Sequence, residues 1–283
     1  MSRVSIIVLT FNRRAELQRT LERLCALPGR HPVIVVDNGS RDGSGQMLRR
    51  RFPQVELIGA GRNLGAAGRN LGVARAATPY VAFCDDDTCW QPGALEQAEQ
   101  ILDAHPDIGV LNARILVGDE ERPDPACERM ARSPLPGCAG VGPGLLGFMA
   151  GACVMRTQAF RQAGGYWNAF FIGGEETLLA LDLAAAGWRM VYAPRLTTRH
   201  WPSPARDDAL RRRLLARNAV WTAWMRLPAM QAWRTTRDQI VALPGLAARA
   251  GLLAEVLRGA PKVLTRRKVI SAEVEQSRRL LSP

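Results

Sequence analysis

Four short β-rich apolar runs, each closing on polar residues and each followed by a stretch of helical character, constrain the fold of this chain most strongly. Residues 4–9 (VSIIVL), 33–36 (VIVV), 55–58 (VELI) and 80–84 (YVAFC) read as strands. The first two are apolar almost throughout, which suits strands covered on both faces of a sheet. Between them, residues 14–27 place Ala15, Leu17, Leu21, Leu24 and Leu27 on one helical stripe, and residues 42–51 and 65–76 read as two further helices. Residues 92–104 form a fourth helix with Pro92 in its first turn, and residues 108–116 a fifth strand. This alternation predicts an α/β fold, a mostly parallel sheet with helices on both faces. At 283 residues and 47% hydrophobic content the chain suffices for one large domain, or for one domain and an appendage.

Beyond residue 116 the pattern loosens. Residues 117–146 are rich in Pro, Gly and charge and read as a long loop. Residues 148–155 resume an apolar strand, 175–186 a helix and 188–192 a short strand. After Pro202 the chain becomes basic amphipathic helix, with one apolar stripe at Leu210, Leu214, Trp221 and Trp224 and a second at Leu246, Ala250, Leu253 and Leu257. The expected division is a catalytic domain over residues 1–202 and a basic helical extension over 203–283. The charge follows that division. Of the net +12, residues 1–198 contribute 21 Lys and Arg against 20 Asp and Glu, whereas residues 199–283 contribute 17 against 6. Such an extension suits helices packed on the catalytic domain with arginines in water, or a contact with an anionic membrane surface. With the excess outside the main domain, nucleic acid is not the expected ligand. The six cysteines form no CxxC pair and read as reduced thiols. With no signal-peptide pattern at residue 1 and no run of 18 apolar residues, the expected location is cytoplasmic, peripheral on a membrane at most.

The fourth strand runs into three consecutive carboxylates, Asp85-Asp86-Asp87. Adjacent like charges repel, so their position asks for an explanation. Ligands of open parallel sheets bind beyond the carboxyl ends of the strands. Alternate side chains of an extended segment share a face, so Asp85 and Asp87 are expected to point one way and Asp86 aside. Two converging carboxylates suit Mg²⁺ or Mn²⁺, with open positions left for phosphate oxygens. The alternative is a solvated acidic turn. Thr10-Phe11-Asn12-Arg13, Asp37-Asn38-Gly39-Ser40 and Gly61-Arg62-Asn63-Leu64-Gly65 follow the first three strands, so all would gather on the same sheet edge. Asp accepts from base or ribose donors, and Asn and Arg meet base and phosphate, so the edge suits a nucleotide.

The segments VSIIVLTFNRRAELQRTLERL, VIVVDNGSRDGS, RNLGAAGRNLGVARAATPYVAFCDDD and GGYWNAFFIGGEETLLALDLAAAGWRMVYAP together resemble the successive motifs of glycosyltransferase family 2, over roughly residues 3–201. The resemblance implies a GT-A fold and an inverting enzyme that takes a nucleotide-diphosphate sugar, UDP-linked on family frequency, and usually a divalent metal. It implies a hydroxyl acceptor on a glycan or lipid-linked carrier, as in bacterial envelope polysaccharide synthesis. By the resemblance Thr10, Asn12, Arg13, Asp37 and Asn63 sit around the nucleotide, with Arg69, Asn70 and Asp86 near it. Asp85 and Asp87 match the DxD carboxylates and, with His200 in TTRHW, the metal site. Gly151 and Ala152 fall in a small-residue strand on the acceptor side. Glu175-Glu176 stand in place of the usual Glu-Asp pair, with Glu176 the expected base. Glu176 departs from the commoner Asp by one methylene, which changes reach but not chemistry. The QxxRW signature of processive synthases is absent, which favours single-sugar transfer.

Two other readings compete. A sugar-nucleotide pyrophosphorylase would need a Gly-rich basic phosphate loop where Thr10-Phe11-Asn12-Arg13 stands. A catalytically degenerate transferase or basic-tail binding protein would not need Asp85, Asp87 and Glu176. Trp90 and Trp167 read either as core or as sugar-stacking platforms, and Cys84 and Cys89 as inert packing residues.

Overall fold

The computed structural model describes residues 2–203 and 208–281. In chain order, β1 (Val4–Thr10), α1 (Arg14–Cys25), β2 (Val33–Asp37), α2 (Ser44–Arg51), β3 (Glu56–Gly59), α3 (Arg69–Arg75) and β4 (Tyr80–Asp85) form the first half. They are followed by β5 (Thr88–Trp90), α4 (Ala94–Ala104), β6 (Ile108–Val117), β7 (Arg122–Pro123), α5 (Pro125–Ala131), β8 (Leu135–Cys138) and β9 (Gly142–Leu145). Then come β10 (Cys153–Arg156), α6 (Thr157–Gln162), α7 (Glu175–Ala185), β11 (Arg189–His200), α8 (Asp208–Arg226), α9 (Ala229–Val241), α10 (Gly245–Thr265) and α11 (Ala272–Leu280).

One sheet carries the order β3-β2-β1-β4-β10-β6-β11-β9-β8, with β5 beside β11 and β7 beside β6. The strand order reverses between β1 and β4, whose ends pair Leu9 with Asp85. That crevice is where open α/β sheets bind ligands. Alternation along β1 sends Ile6 and Val8 to the face covered by α1, α2 and α4, and Ile7 to the face covered by α3, α6 and α7. The sheet is therefore buried on both sides, as the apolar strands require.

The sheet is mostly parallel, as expected: β10 runs antiparallel between β4 and β6, and so do the β5, β7, β8 and β9 additions. Other expectations need correction. Residues 117–146 are not a long loop: they hold β7, α5, β8 and β9. Their strands are short pairs rich in Pro and Gly, confined to the sheet's periphery where a missing N–H costs little. Within them α5 starts on Pro125, with Asp124 accepting from the Ala126 N–H at 2.8 Å. The helix expected over 65–76 opens with a 3-10 turn, Gly65–Gly68. The strand expected from 148 begins only at Cys153, because Ala150–Ala152 form a 3-10 turn, so Gly151 and Ala152 lie on that turn and not on a strand. The last strand runs on to His200, with a register shift between Ala193 and Thr197 where Pro194 interrupts the ladder.

The C-terminal helices are welded to the main sheet domain. Leu181 of α7 packs with Ala223, Ala232, Ile270 and Val274, while Phe170 and Leu178 pack with Trp221, Met225 and Val263. Arg226 of α8 pairs with Asp182 of α7 at 2.9 Å. The α8 stripe faces inward at Leu214 and Trp221, but the second stripe does not: Leu246, Leu253 and Leu257 of α10 face solvent.

Candidate functional site

The three carboxylates at the end of β4 are each met by a cation or a donor. Asp86 accepts from Thr10 Oγ1 at 2.9 Å and from Arg13 at 3.1 Å. Asp87 accepts from the same Arg13 at 3.0 Å and stands 3.5 Å from His200 Nε2. Asp85 pairs with the buried guanidinium of Arg69. The expected geometry is thus revised: Asp85 and Asp87 do not point one way with Asp86 aside, since Asp85 meets Arg69 while Asp86 and Asp87, equally buried, share Arg13. Buried charge is costly unless paired, and here the pairing is shared out over two arginines. Burial pushes Asp86 up to about 7, opposed by Arg13 and Thr10 and reinforced by Asp87 and Asp85. Burial acts on Asp87 in the same sense, but the hydrogen bond and charge of His200, with Arg13, outweigh it and hold Asp87 below the usual carboxylate range.

Among the described residues no three His, Cys, Asp or Glu side chains stand together as a metal cluster, since Asp85 turns to Arg69 and Asp87 to His200. The donor chemistry nonetheless fits a hard divalent cation: carboxylate oxygens and one imidazole. Gly151 keeps the flank of Asp85 open, because a Cβ there would lie 2.7 Å from Asp85 Oδ2.

The remaining residues expected at the nucleotide gather at the same edge, several of them already engaged in shaping it. Asn12, at φ 53°, accepts from the Arg41 N–H at 2.8 Å, and Ser40 Oγ accepts from the Asn12 N–H. Asp37 accepts from the Ser40 N–H at 2.8 Å. Asn63 accepts from the Gly65 N–H at 2.9 Å and from Asn38 Nδ2 at 3.3 Å. Asn38, which the sequence reading did not single out, also leaves its Oδ1 buried without a partner among the described residues. Asn70 spends its amide on Tyr166, accepting from its N–H at 2.9 Å and donating to its carbonyl at 2.8 Å. It braces the chain opposite, leaving Arg69 to face the site. Trp90 is core, its indole N–H donating to the Phe83 carbonyl. Trp167 packs between Phe170 and Trp221. Burial raises the Cys84 and Cys89 thiols, which suits inert packing residues.

Glu175 and Glu176 open α7 behind Gly174, whose φ of 83° lets the chain turn sharply into the helix. Glu175 is buried with its Oε2 lacking a partner among the described residues. Burial, then repulsion from Glu176, pushes it up to about 8. Glu176 is half-buried. Burial raises its pKa, with Arg69 and Arg211 pulling it down and Asp85 pushing it up. Arg69 thus lies in the fields of both Asp85 and the glutamate pair, and together these carboxylates and Tyr166 hold it protonated despite burial.

The loop before this pair is clamped from two sides. Phe171 adopts φ 64° and ψ −74°, and its carbonyl accepts from the Ala66 N–H at 2.7 Å. Gly65 is needed there, since a Cβ would lie 1.9 Å from that carbonyl oxygen. From the other side, fully buried Asn218 of α8 donates to the carbonyls of Phe170 at 3.0 Å, Ile172 at 3.3 Å and Gly173 at 2.5 Å. Arg217 donates to Ala169 and Phe170. Neither residue was found from sequence. Their partners are backbone carbonyls more than 40 positions away, which leave no mark on residue type.

A family profile described as glycosyl transferase family 2 matches residues 5–164, more than half of the chain. A curated relative from Mycobacterium tuberculosis, named N-acetylglucosaminyl-diphospho-decaprenol L-rhamnosyltransferase, is 28% identical over 250 residues, covering 72% of this chain and 78% of that protein. An uncharacterized glycosyltransferase of Haemophilus influenzae is 34% identical over 110 residues, covering 38% of this chain and 37% of that protein. Among solved structures, the mannosyltransferase PcManGT from Pyrobaculum calidifontis, in complex with GDP-Man and Mn²⁺, superposes with a TM-score of 0.58 at 18% identity, over 98% of this chain and 86% of that one. A structure of TarS residues 1–349 from S. aureus gives 0.60 at 17% identity, over 99% and 91%. These similarities show the GT-A architecture.

Proposed function

The chain belongs to glycosyl transferase family 2, and from that premise we propose that it moves one sugar, with inversion, from a nucleotide-diphosphate sugar to a hydroxyl of a lipid-linked glycan acceptor. The observation that carries this reading is Arg69, buried between Asp85 at the strand switch point and the glutamate pair at the start of α7. It links a diphosphate-facing edge to a base. The mycobacterial relative's name supports a lipid-linked acceptor, and the GDP-Man and Mn²⁺ in the archaeal structure support a nucleotide-sugar and a divalent metal.

Glu176 takes the proton from the acceptor hydroxyl as that oxygen forms its bond to the anomeric carbon. The bond from that carbon to the diphosphate oxygen breaks, and its electron pair leaves with the nucleoside diphosphate. Attack from the face opposite the leaving group inverts the centre. A base of this kind contributes about 10²–10⁴-fold. Arg13 and Arg69 place positive charge at the edge where the leaving charge develops. Asp87 with His200, and Asp85 beside the open flank of Gly151, would hold a Mn²⁺ or Mg²⁺ ion, which supplies further neutralisation of the diphosphate.

The test is a thermal-shift panel of UDP-, GDP- and dTDP-sugars with Mn²⁺, Mg²⁺ or EDTA. A ligand bound only by the native state raises apparent stability by mass action. The expected result is a metal-dependent shift with one nucleotide class, lost in Asp87→Ala. No shift with any nucleotide under any metal would overturn the reading.

A further inference from the structure

A cleft of about 340 Å³ opens beside the glutamate pair, within the range of small-ligand sites, about 300–1,000 Å³. Gly174, which turns the chain into α7, stands in its lining. From there it is lined by Thr177 and Leu181 of α7 and by Leu215, Ala219, Thr222 and Leu227 of α8. From Leu215 to Leu227 the helix rises about 18 Å, so the cleft is long and leads away from the glutamates. Its lining is mostly apolar, and Arg278, which also borders it, is already paired with Glu275 at 2.8 Å and 3.0 Å. Beside Gly174, Ile172 and Leu215 are each 40% exposed. Leu215 packs against Gly173, where a Cβ would lie 3.0 Å from its Cγ. Exposed Arg211 stands one turn before Leu215. At about 100° per residue, Arg211, Leu215, Asn218, Ala219 and Thr222 fall within an arc of about 100° on α8. Leu215 and Asn218 of that arc touch the loop before Glu175, so Arg211 lies on the same side, and Glu176 feels its charge.

We propose that this cleft takes the lipid chain of the acceptor, with Arg211 at its mouth meeting the phosphoryl group that joins the chain to the sugar. Glu176, then Arg211, then an apolar run leading away follow one another along α7 and α8. An acceptor that presents a hydroxyl, then an anionic link, then an apolar tail has its parts in the same order. A guanidinium matches the oxygens of a phosphoryl group, and a tail in the cleft takes the exposed leucine surface out of water. A bilayer phospholipid is the less favoured occupant. It offers no sugar hydroxyl to Glu176, whereas the cleft begins at the turn that carries that residue. The inference rests on the lipid-linked reading of the acceptor, but its test needs neither acceptor sugar nor donor.

The probe is farnesyl diphosphate, a short apolar chain on a diphosphate. It is titrated calorimetrically into the full chain in EDTA, below the concentration at which it forms micelles. Farnesol and inorganic diphosphate each carry one half of it. The expected result is saturable binding of farnesyl diphosphate, at least about tenfold tighter than either half. Ala219→Phe fills the cleft and should weaken farnesyl diphosphate at least about tenfold while leaving inorganic diphosphate unchanged. Arg211→Gln changes an exposed position, so its circular dichroism and Tm should match the parent. It should bring the affinity for farnesyl diphosphate down to that for farnesol, and Arg211→Lys should restore part of the loss. Should Ala219→Phe lower Tm, Arg211→Gln and nucleotide competition still decide. No binding of farnesyl diphosphate, or unchanged binding by either Ala219→Phe or Arg211→Gln, would overturn the proposal. Displacement by UDP, GDP or dTDP would overturn it too, by placing the diphosphate at the donor edge. So would tighter binding of lysophosphatidylglycerol, which would give the cleft to a bilayer lipid. The nucleotide-sugar thermal shift is read on the same proteins. Farnesyl diphosphate binding without that shift would count against the transferase reading, and the shift without farnesyl diphosphate binding against the cleft alone.

Discussion

At the first turn of α7, Glu175 ends on a buried oxygen without a partner among the described residues, while Glu176, one position on, lies in the field of Arg69. The two carboxyls should therefore answer to different measurements. Glu176→Gln keeps the size but removes the proton acceptor, so kcat should fall by about 10²–10⁴-fold with donor affinity nearly unchanged. Burial raises the pKa of Glu176, so the acid limb of kcat should lie above the ordinary glutamate value of about 4.3. Arg69 pulls that pKa down, so Arg69→Gln should move the limb to higher pH. A limb unmoved by that change would deny the Arg69–Glu176 coupling. Glu175 belongs to stability. An acid whose native pKa lies above its unfolded value holds its proton better when folded. Its contribution is greatest below 4.5 and declines as pH rises toward about 8. Each unit in that window is worth up to about 1.4 kcal/mol for such a group. Glu175→Gln should flatten the fall in Tm across that window, and an unchanged slope would place the unpaired charge elsewhere.

The elements that hold these residues show which signals a sequence carries. The strands β1, β2 and β4 were legible because each is a continuous apolar run ending at one edge of the sheet, and Asp85–Asp87 stood out because three adjacent carboxylates repel one another unless something offsets them. The partners that make the carboxylates tolerable were less so. Arg13 was read as a nucleotide contact, and its bridge to Asp86 and Asp87 was not anticipated. The β8–β9 pair was hidden because its residues, LPGC and GPGL, read as turn material and gain strand character only by pairing at the periphery of the sheet. The clamp on the 169–174 loop was hidden because Asn218 binds carbonyls, which every residue type offers. That clamp makes a testable distinction. Asn218→Ala strips the donor from three carbonyls and should cost about 1–3 kcal/mol. Asn218→Asp should cost more, because a carboxylate cannot donate and would face carbonyl oxygens. Both should lower kcat more than they raise the donor KM if Glu176 is the base as proposed, since the loop leads into the helix that bears Glu176 and not to the diphosphate edge. Equal losses of Tm in the two variants, with kcat unmoved, would reduce Asn218 to packing.

Across the whole molecule the basic C-terminal helices are continuous with the catalytic half. Phe170 and Leu178, on either side of the glutamate pair, are buried against Trp221, Met225 and Val263 from α8 and α10, and Leu181 against α8, α9 and α11. Charge and composition divide the chain near residue 202, yet the packing runs across that division, so a boundary in sequence need not be a boundary in folding. Two independent folding units would each melt at their own temperature, whereas a shared core couples them into one cooperative transition. We therefore expect calorimetry of the full chain to give a single transition. We expect a chain cut after Ser203 to expose Phe170, Leu178 and Leu181, to bind a hydrophobic dye and to lose its cooperative melt. Loss of Asn218 in the same cut would also release the loop before Glu175. A truncated chain that melts cooperatively near the parent temperature, and still shows the nucleotide-sugar shift and transfer, would make the helices a separable appendage and confine the site to the sheet edge.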